Sequence, residues 1–198
     1  MANGRVTTGF SKPYVALYAA AGGTVTYTSG QLLARGVEVS VEPETSDDNN
    51  FYADNQVAET AAGVFTGGTV TLTVDGLLPA AERLIMGLPE AGEDGWTAYG
   101  DGQSIPYVGV GFIQRTMSGG VTSYIPYVLP KVTFAQLSTD AATQEDEIDW
   151  QTQELTATIM RDDTTNQNWK WVGTPQTTES LAEAALMTKL GIQAQTTT

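Results

Sequence analysis

Thr69-Val70-Thr71-Leu72-Thr73-Val74 alternates a threonine with an aliphatic residue, a period of two. Successive side chains of a strand point to opposite faces, so this stretch has one dry face and one wet face. Val37-Glu38-Val39-Ser40-Val41-Glu42 repeats the pattern, with carboxylates and a serine on the wet side. Leu155, Ala157 and Ile159 alternate with Thr156 and Thr158 in a third stretch of the same kind. Between them, Ile105 to Ile113 is apolar on both faces and predicts a central strand covered on both sides. Val121 to Phe134 is β-rich, but Pro126 and Pro130 interrupt it, and proline marks an edge, a bulge or a strand end. Ser118-Gly119-Gly120 reads as the turn between those two stretches. Trp169-Lys170-Trp171-Val172 adds a last short strand.

Two helices complete the pattern. The first spans about 79–87. Pro79 suits a first helical position, Leu77, Ala81, Leu84, Ile85 and Leu88 form a stripe, and Gly87 is a stop signal. The second runs from about Thr178 to Leu190. Ser180 and Glu183 have capping-box spacing, Leu186, Met187 and Leu190 make the apolar edge, and Gly191 ends it. The expected organisation is a mainly β domain over 1–173, followed by a C-terminal helix and tail over 174–198.

The 198 residues suffice for one domain with a real core. Lys and Arg number 9 against 23 Asp and Glu, a formal charge of -14. Nucleic-acid affinity by counterion release needs clustered cations, so a DNA- or RNA-gripping role is disfavoured. The chain has no histidine and no cysteine. That excludes Ser-His-Asp and Cys-His nucleophile systems, thiolate zinc sites and disulfides. No apolar run reaches the length of a membrane span. Tyr14 to Ala21 is apolar, but polar Thr7, Thr8, Ser11 and Pro13 precede it, and it reads as a strand rather than a secretion signal.

The segment from Glu42 to Glu59 is acidic and has no basic residue. It reads as a long extended loop near 42–58, and loops of that length are usually functional or disordered. Phe51 and Tyr52 in its middle are the apolar anchors a docking arm needs. Asp48, Asn50 and Glu59 fall on calcium-loop positions, but Tyr52 and Ala53 stand where a ligand and the turn glycine are needed. Glu145, Asp146, Glu147 and Asp149 form a second acidic cluster; strand alternation sets three of them on one solvated face, not across a cleft as glycoside hydrolysis requires. Gly109-Val110-Gly111 lacks the third glycine of a dinucleotide loop, and no phosphate-loop, GxSxG or HExxH motif occurs. Four tryptophans (Trp96, Trp150, Trp169, Trp171) could make a sugar platform but more often anchor cores and interfaces. No catalytic, cofactor or metal site emerges, and the expectation is a non-enzymatic, structural protein.

The ordered landmarks resemble those of siphophage major tail proteins, the building blocks of the tail tube. They are Tyr14-Val15-Ala16-Leu17-Tyr18, Gly30-Gln31-Leu32-Leu33-Ala34, the strand Val37 to Glu44, and Tyr52-Ala53-Asp54-Asn55 with Glu59. Tyr107 to Ile113, Tyr127 to Phe134 and Trp150-Gln151-Thr152 leading into Leu155 to Ile159 complete the set. The likeness covers roughly residues 14–160. It departs at Trp150, where a phenylalanine is more usual, and in the C-terminal helix.

The resemblance implies a tail-tube-like β-sandwich with a flanking helix, assembling into hexameric rings stacked as a hollow tube. It implies an inter-subunit arm, here Glu42, Glu44, Asp47, Asp48, Phe51, Tyr52, Asp54 and Asn55. Its partners would be other copies of the chain, a tape measure protein in the lumen during assembly, and terminator and distal tail proteins at the ends. Genomic DNA would pass without specific binding. The place would be the virion tail, assembled in the host bacterial cytoplasm, with no membrane involved. Acidic and threonine-rich faces suit a lumen for a polyanion, because they offer phosphate no counterion-release gain. Three faces qualify: Glu38, Ser40 and Glu42; Thr69, Thr71 and Thr73; and Glu145, Glu147 and Asp149. The alternative is a secreted carbohydrate-binding or cell-surface β-sandwich module.

Overall fold

A computed structural model describes residues 4–101, 103–139, 143 and 151–193. The elements in chain order are β1 (Val6–Ala21), β2 (Thr24–Leu32), β3 (Gly36–Thr45), β4 (Asn49–Ala53), β5 (Gln56–Ala61) and β6 (Phe65–Val74). There follow α1 (Pro79–Met86), β7 (Val108–Ser118), β8 (Val121–Phe134), β9 (Gln153–Met160), β10 (Trp171–Val172) and α2 (Glu179–Lys189). The chain is mainly β, as its period-two stretches predict. One large antiparallel sheet runs in the order β2-β1-β7-β8-β9-β6-β3, with β10 beside β8; β4 and β5 pair separately.

The sheet curls, sandwich-like, round one core. Val15, Val70, Leu72, Val110, Leu129, Leu155 and Ile159 meet there with Ala81, Ile85 and Met86 of α1. Curling brings β3 against β1, although four strands separate them in the strand order. Gly36 permits that approach: a Cβ there would lie 2.1 Å from the Phe10 ring. Pro79 opens α1, and Gly87, at φ 63, closes it in the left-handed conformation that glycine adopts without strain.

The opposite face carries α2. Ala182, Leu186 and Leu190, four residues apart, cover Tyr14, Ala16, Ile113 and Val128. Gly109 and Gly111 explain how the helix comes so close. A Cβ on Gly111 would lie 2.5 Å from Leu186 Cδ1, and one on Gly109 3.0 Å from Leu190 Cδ2. The glycine pair is thus a bare floor beneath a helix, and β7 is buried on both faces from Val108 to Ile113.

Several details differ from the sequence reading. β8 is one strand of 14 residues despite its prolines. The β7–β8 register shifts between Val108 and Val110, opposite the segment holding Pro130, and Pro126 still accepts a hydrogen bond from Gly173 N–H at 2.8 Å. A bulge between Gly36 and Glu38 turns Val37 outward, leaving Val39 and Val41 against the core. Thr178, rather than Ser180, caps α2; its side chain accepts the Leu181 N–H. Glu183 instead faces Lys12 Nζ at 3.2 Å and accepts the Tyr14 hydroxyl at 2.6 Å.

Candidate functional site

The segment expected as a loop over 42–58 is not a loop. β3 continues through Glu42 and Glu44 to Thr45, and residues 49–61 form a β-hairpin. Its turn is Asp54-Asn55, both at positive φ (51 and 64), the conformation of a type I′ connection. Asx residues tolerate that conformation better than other non-glycine residues, so the turn forms without glycine. The neck is cinched by Ser46 and Asp48. Ser46 N–H donates to the Val64 carbonyl at 2.9 Å, Val64 N–H to Ser46 Oγ at 3.1 Å, and Gly63 N–H to Asp48 Oδ1 at 2.8 Å. A Cβ at Gly63 would strike the Ser46 carbonyl at 1.9 Å, so glycine is required there.

Every residue from 42 to 62 is exposed. Phe51 is 64% exposed, Tyr52 63% and Val57 50%. Tyr52 stands opposite Val57 across the hairpin, and a register shift separates that pair from Phe51 and Glu59. An isolated two-stranded hairpin is marginal in water. This one adds uncovered apolar side chains and the carboxylates of Asp47, Asp48, Asp54 and Glu59.

Strand register brings two of the three predicted wet faces together. Glu38 pairs with Thr73, Ser40 with Thr71 and Glu42 with Thr69. Across β6 the rows continue through Thr73 to Glu154, Thr71 to Thr156 and Thr69 to Thr158. Thr158 in turn faces Thr133 of β8. The result is one plate of threonine, serine and carboxylate over four strands, backed by the apolar face of Val70, Leu72, Leu155 and Ile159. Glu145, Glu147 and Asp149 lie outside the described residues.

Glu154, Thr156, Thr158 and Thr133 were not among the predicted face residues. Their alternation was visible, but their neighbours are set by register at a distance. A base stands next to Thr133 in the same strand alternation: Lys131, side chain 14% exposed, held by Asp163 Oδ2 at 2.8 Å and lying over the rings of Tyr107 (4.7 Å) and Tyr18 (5.3 Å). That lysine, helped by the Tyr18 hydroxyl, holds the Asp163 carboxyl below the usual carboxylate range.

The tryptophans are dispersed. Trp169 stacks on Phe65 at 4.5 Å, Trp171 packs in the cluster beneath α2, and Trp96 is 78% exposed in the segment after α1; Trp150 lies outside the described residues. Among the described residues, no group of three or more His, Cys, Asp or Glu side chains is placed to hold a metal ion, and no helix is long and apolar enough to cross a membrane. No protein-family model matches the chain, and no curated protein does.

Proposed function

We propose that the chain is a non-catalytic structural subunit, the major tail-tube protein of a long non-contractile-tailed bacteriophage. It self-assembles into stacked rings whose bore conducts DNA. The observation that carries this reading is the hairpin Asn49–Ala61: acidic, fully exposed, and bearing aromatic residues that no other described residue covers. Exposed apolar groups on a projecting element are the mark of an interaction site. The ordered sequence landmarks supply the class of assembly. The edges of the large sheet, β2 and β3, give a ring its means of closing by strand pairing, which removes edges that would otherwise aggregate.

In this reading the plate of Glu38, Ser40, Glu42, Thr69, Thr71, Thr73, Glu154, Thr156 and Thr158 lines the bore. It presents hydroxyls and carboxylates to a passing polyanion and gives phosphate nothing to grip. A tape measure protein would fill that bore during assembly, and terminator and distal tail proteins would close the ends. Negative-stain electron microscopy over a concentration series, with mass photometry alongside, tests the proposal. Rings or hollow tubes are expected. A chain that stays monomeric throughout, with Trp96 fluorescence quenched by added glycans, would replace it with the carbohydrate-binding reading.

A further inference from the structure

Between α2 and β10 lies a groove of about 440 Å³, lined by Pro126, Val128, Lys170, Trp171, Ala185 and Lys189 among others and, among the described residues, by no carboxylate. In a chain with 9 bases and 23 acids, two lysines on one groove without an acid is a local reversal of sign. Neither lysine is neutralised by an ion pair among the described residues, whereas Lys12, Arg35 and Lys131 are. Lys189 Nζ stands 3.6 Å from the Trp171 ring centroid, and Lys170 Nζ 4.7 Å from that of Trp169. The groove therefore offers an apolar, aromatic lining with the Lys189 ammonium over its Trp171 ring, and Lys170 lines it too, with its ammonium over the neighbouring Trp169 ring.

We propose that this groove is the seat of the β4–β5 hairpin tip of a second copy of the chain. The inference rests on the assembly reading above and deepens it by naming donor and acceptor. The complementarity is twofold. Phe51, Tyr52 and Val57 are exposed apolar groups, and the groove is a largely apolar surface that no other described residue fills. Asp47, Asp48, Asp54 and Glu59 lie close in sequence to those apolar groups, with no base among them, and Lys170 and Lys189 line the groove. The hairpin springs from the β3–β6 end of the sheet, while the groove lies over β8 beneath α2. The hairpin's complete exposure means that it does not fold back onto its own groove. Donor and acceptor are different surfaces, so a contact made once per pair of copies is heterologous and propagates head to tail, whereas a reciprocal exchange of hairpins would close as a two-fold dimer.

The chain has no cysteine, so introduced thiols report contact without background from native ones. The test mixes an Asp54→Cys chain with a size-tagged Val172→Cys chain under assembling conditions and mild oxidation. Both positions are exposed, and matching far-ultraviolet spectra and melting curves verify folding. A mixed disulfide carrying one chain of each kind is expected. Adding Lys170→Glu and Lys189→Glu to the Val172→Cys chain should cut its yield by about tenfold, the effect of reversing charges at a contact. Asp47→Lys and Glu59→Lys in the Asp54→Cys chain should restore it. Rings or tubes that form without the mixed disulfide would overturn the groove assignment and leave the assembly reading standing. A mixture that forms no assemblies at all would overturn both.

Discussion

Tyr14, Tyr18 and Tyr27 link the strand β1 and its partner β2 to the rest of the molecule through their hydroxyls. Tyr14 donates to Glu183 at 2.6 Å, Tyr18 to Asp163 at 2.7 Å, and Tyr27 to the Pro130 carbonyl at 2.9 Å. Burial, chiefly, raises all three phenols, and for Tyr14 and Tyr18 the accepting carboxylate adds to it; Tyr18 is pushed up to about 12. The fold thus favours the protonated phenol. Its stabilisation is complete below the ordinary value of 10.0 and is lost as pH rises from there through about 12. The urea midpoint is expected to hold below that window and to fall within it, and ultraviolet absorbance should show these phenols ionising late. Gly111 makes a second expectation at this scale. Gly111→Ala places a methyl group against Leu186, which is fully buried. Overpacking of that kind costs about 1–3 kcal/mol, readable from urea unfolding. The glycine's role was not legible in the sequence, because its partner lies far along the chain in another element. Only the absence of a third glycine, which ruled out a nucleotide loop, could be read.

At the scale of elements, what could be read and what could not divide cleanly. The aliphatic faces of β6 and β9 were legible because burial on one side imposes a period of two. The helix α1 was legible from its proline start and glycine stop. The hairpin was not. None of its residues is buried, so no alternation of buried and exposed positions marks its strands, and its turn lacks the glycine that usually advertises one. The candidate face was half legible: each strand's wet side was evident, but register alone joins Glu38, Thr73 and Glu154 into one row. The hairpin's exposure also separates its role from stability. Phe51→Ala with Tyr52→Ala should change the unfolding free energy by no more than about 0.5 kcal/mol, as surface substitutions do. The same variant should fail to polymerise, as mass photometry would register. Amide exchange should be fast over 49–61 in the free chain and slowed in the assembly.

Across the whole molecule, charge is distributed to match the proposed work. The carboxylates of β3 and β9 share a sheet face with threonines, while the base next to it, Lys131, is tied to Asp163. The groove beneath α2, lined by no carboxylate among the described residues, stands apart from that face. With a formal charge of -14 and no exposed cationic stripe on the plate, the chain should flow through an immobilised duplex DNA column even at low ionic strength. Retention there that salt removes would contradict the bore assignment. The threonines keep the plate hydrophilic without adding further like charge, which limits self-repulsion when copies converge on an axis.

At the neck of the hairpin, Ser46 and Val64 are already hydrogen-bonded partners at 2.9 Å, one step beyond the last β3–β6 pair, Thr45 and Phe65. Excising 47–63 and joining the ends by a two-residue turn would therefore close the ladder and leave the core untouched. The shortened chain would keep every surface of its parent except the one that inserts. Mixed with full-length protein, it should act as a dominant poison. It would enter a growing filament once and leave the next arrival with nothing to catch, so a small molar dose should shorten the whole length distribution seen by electron microscopy.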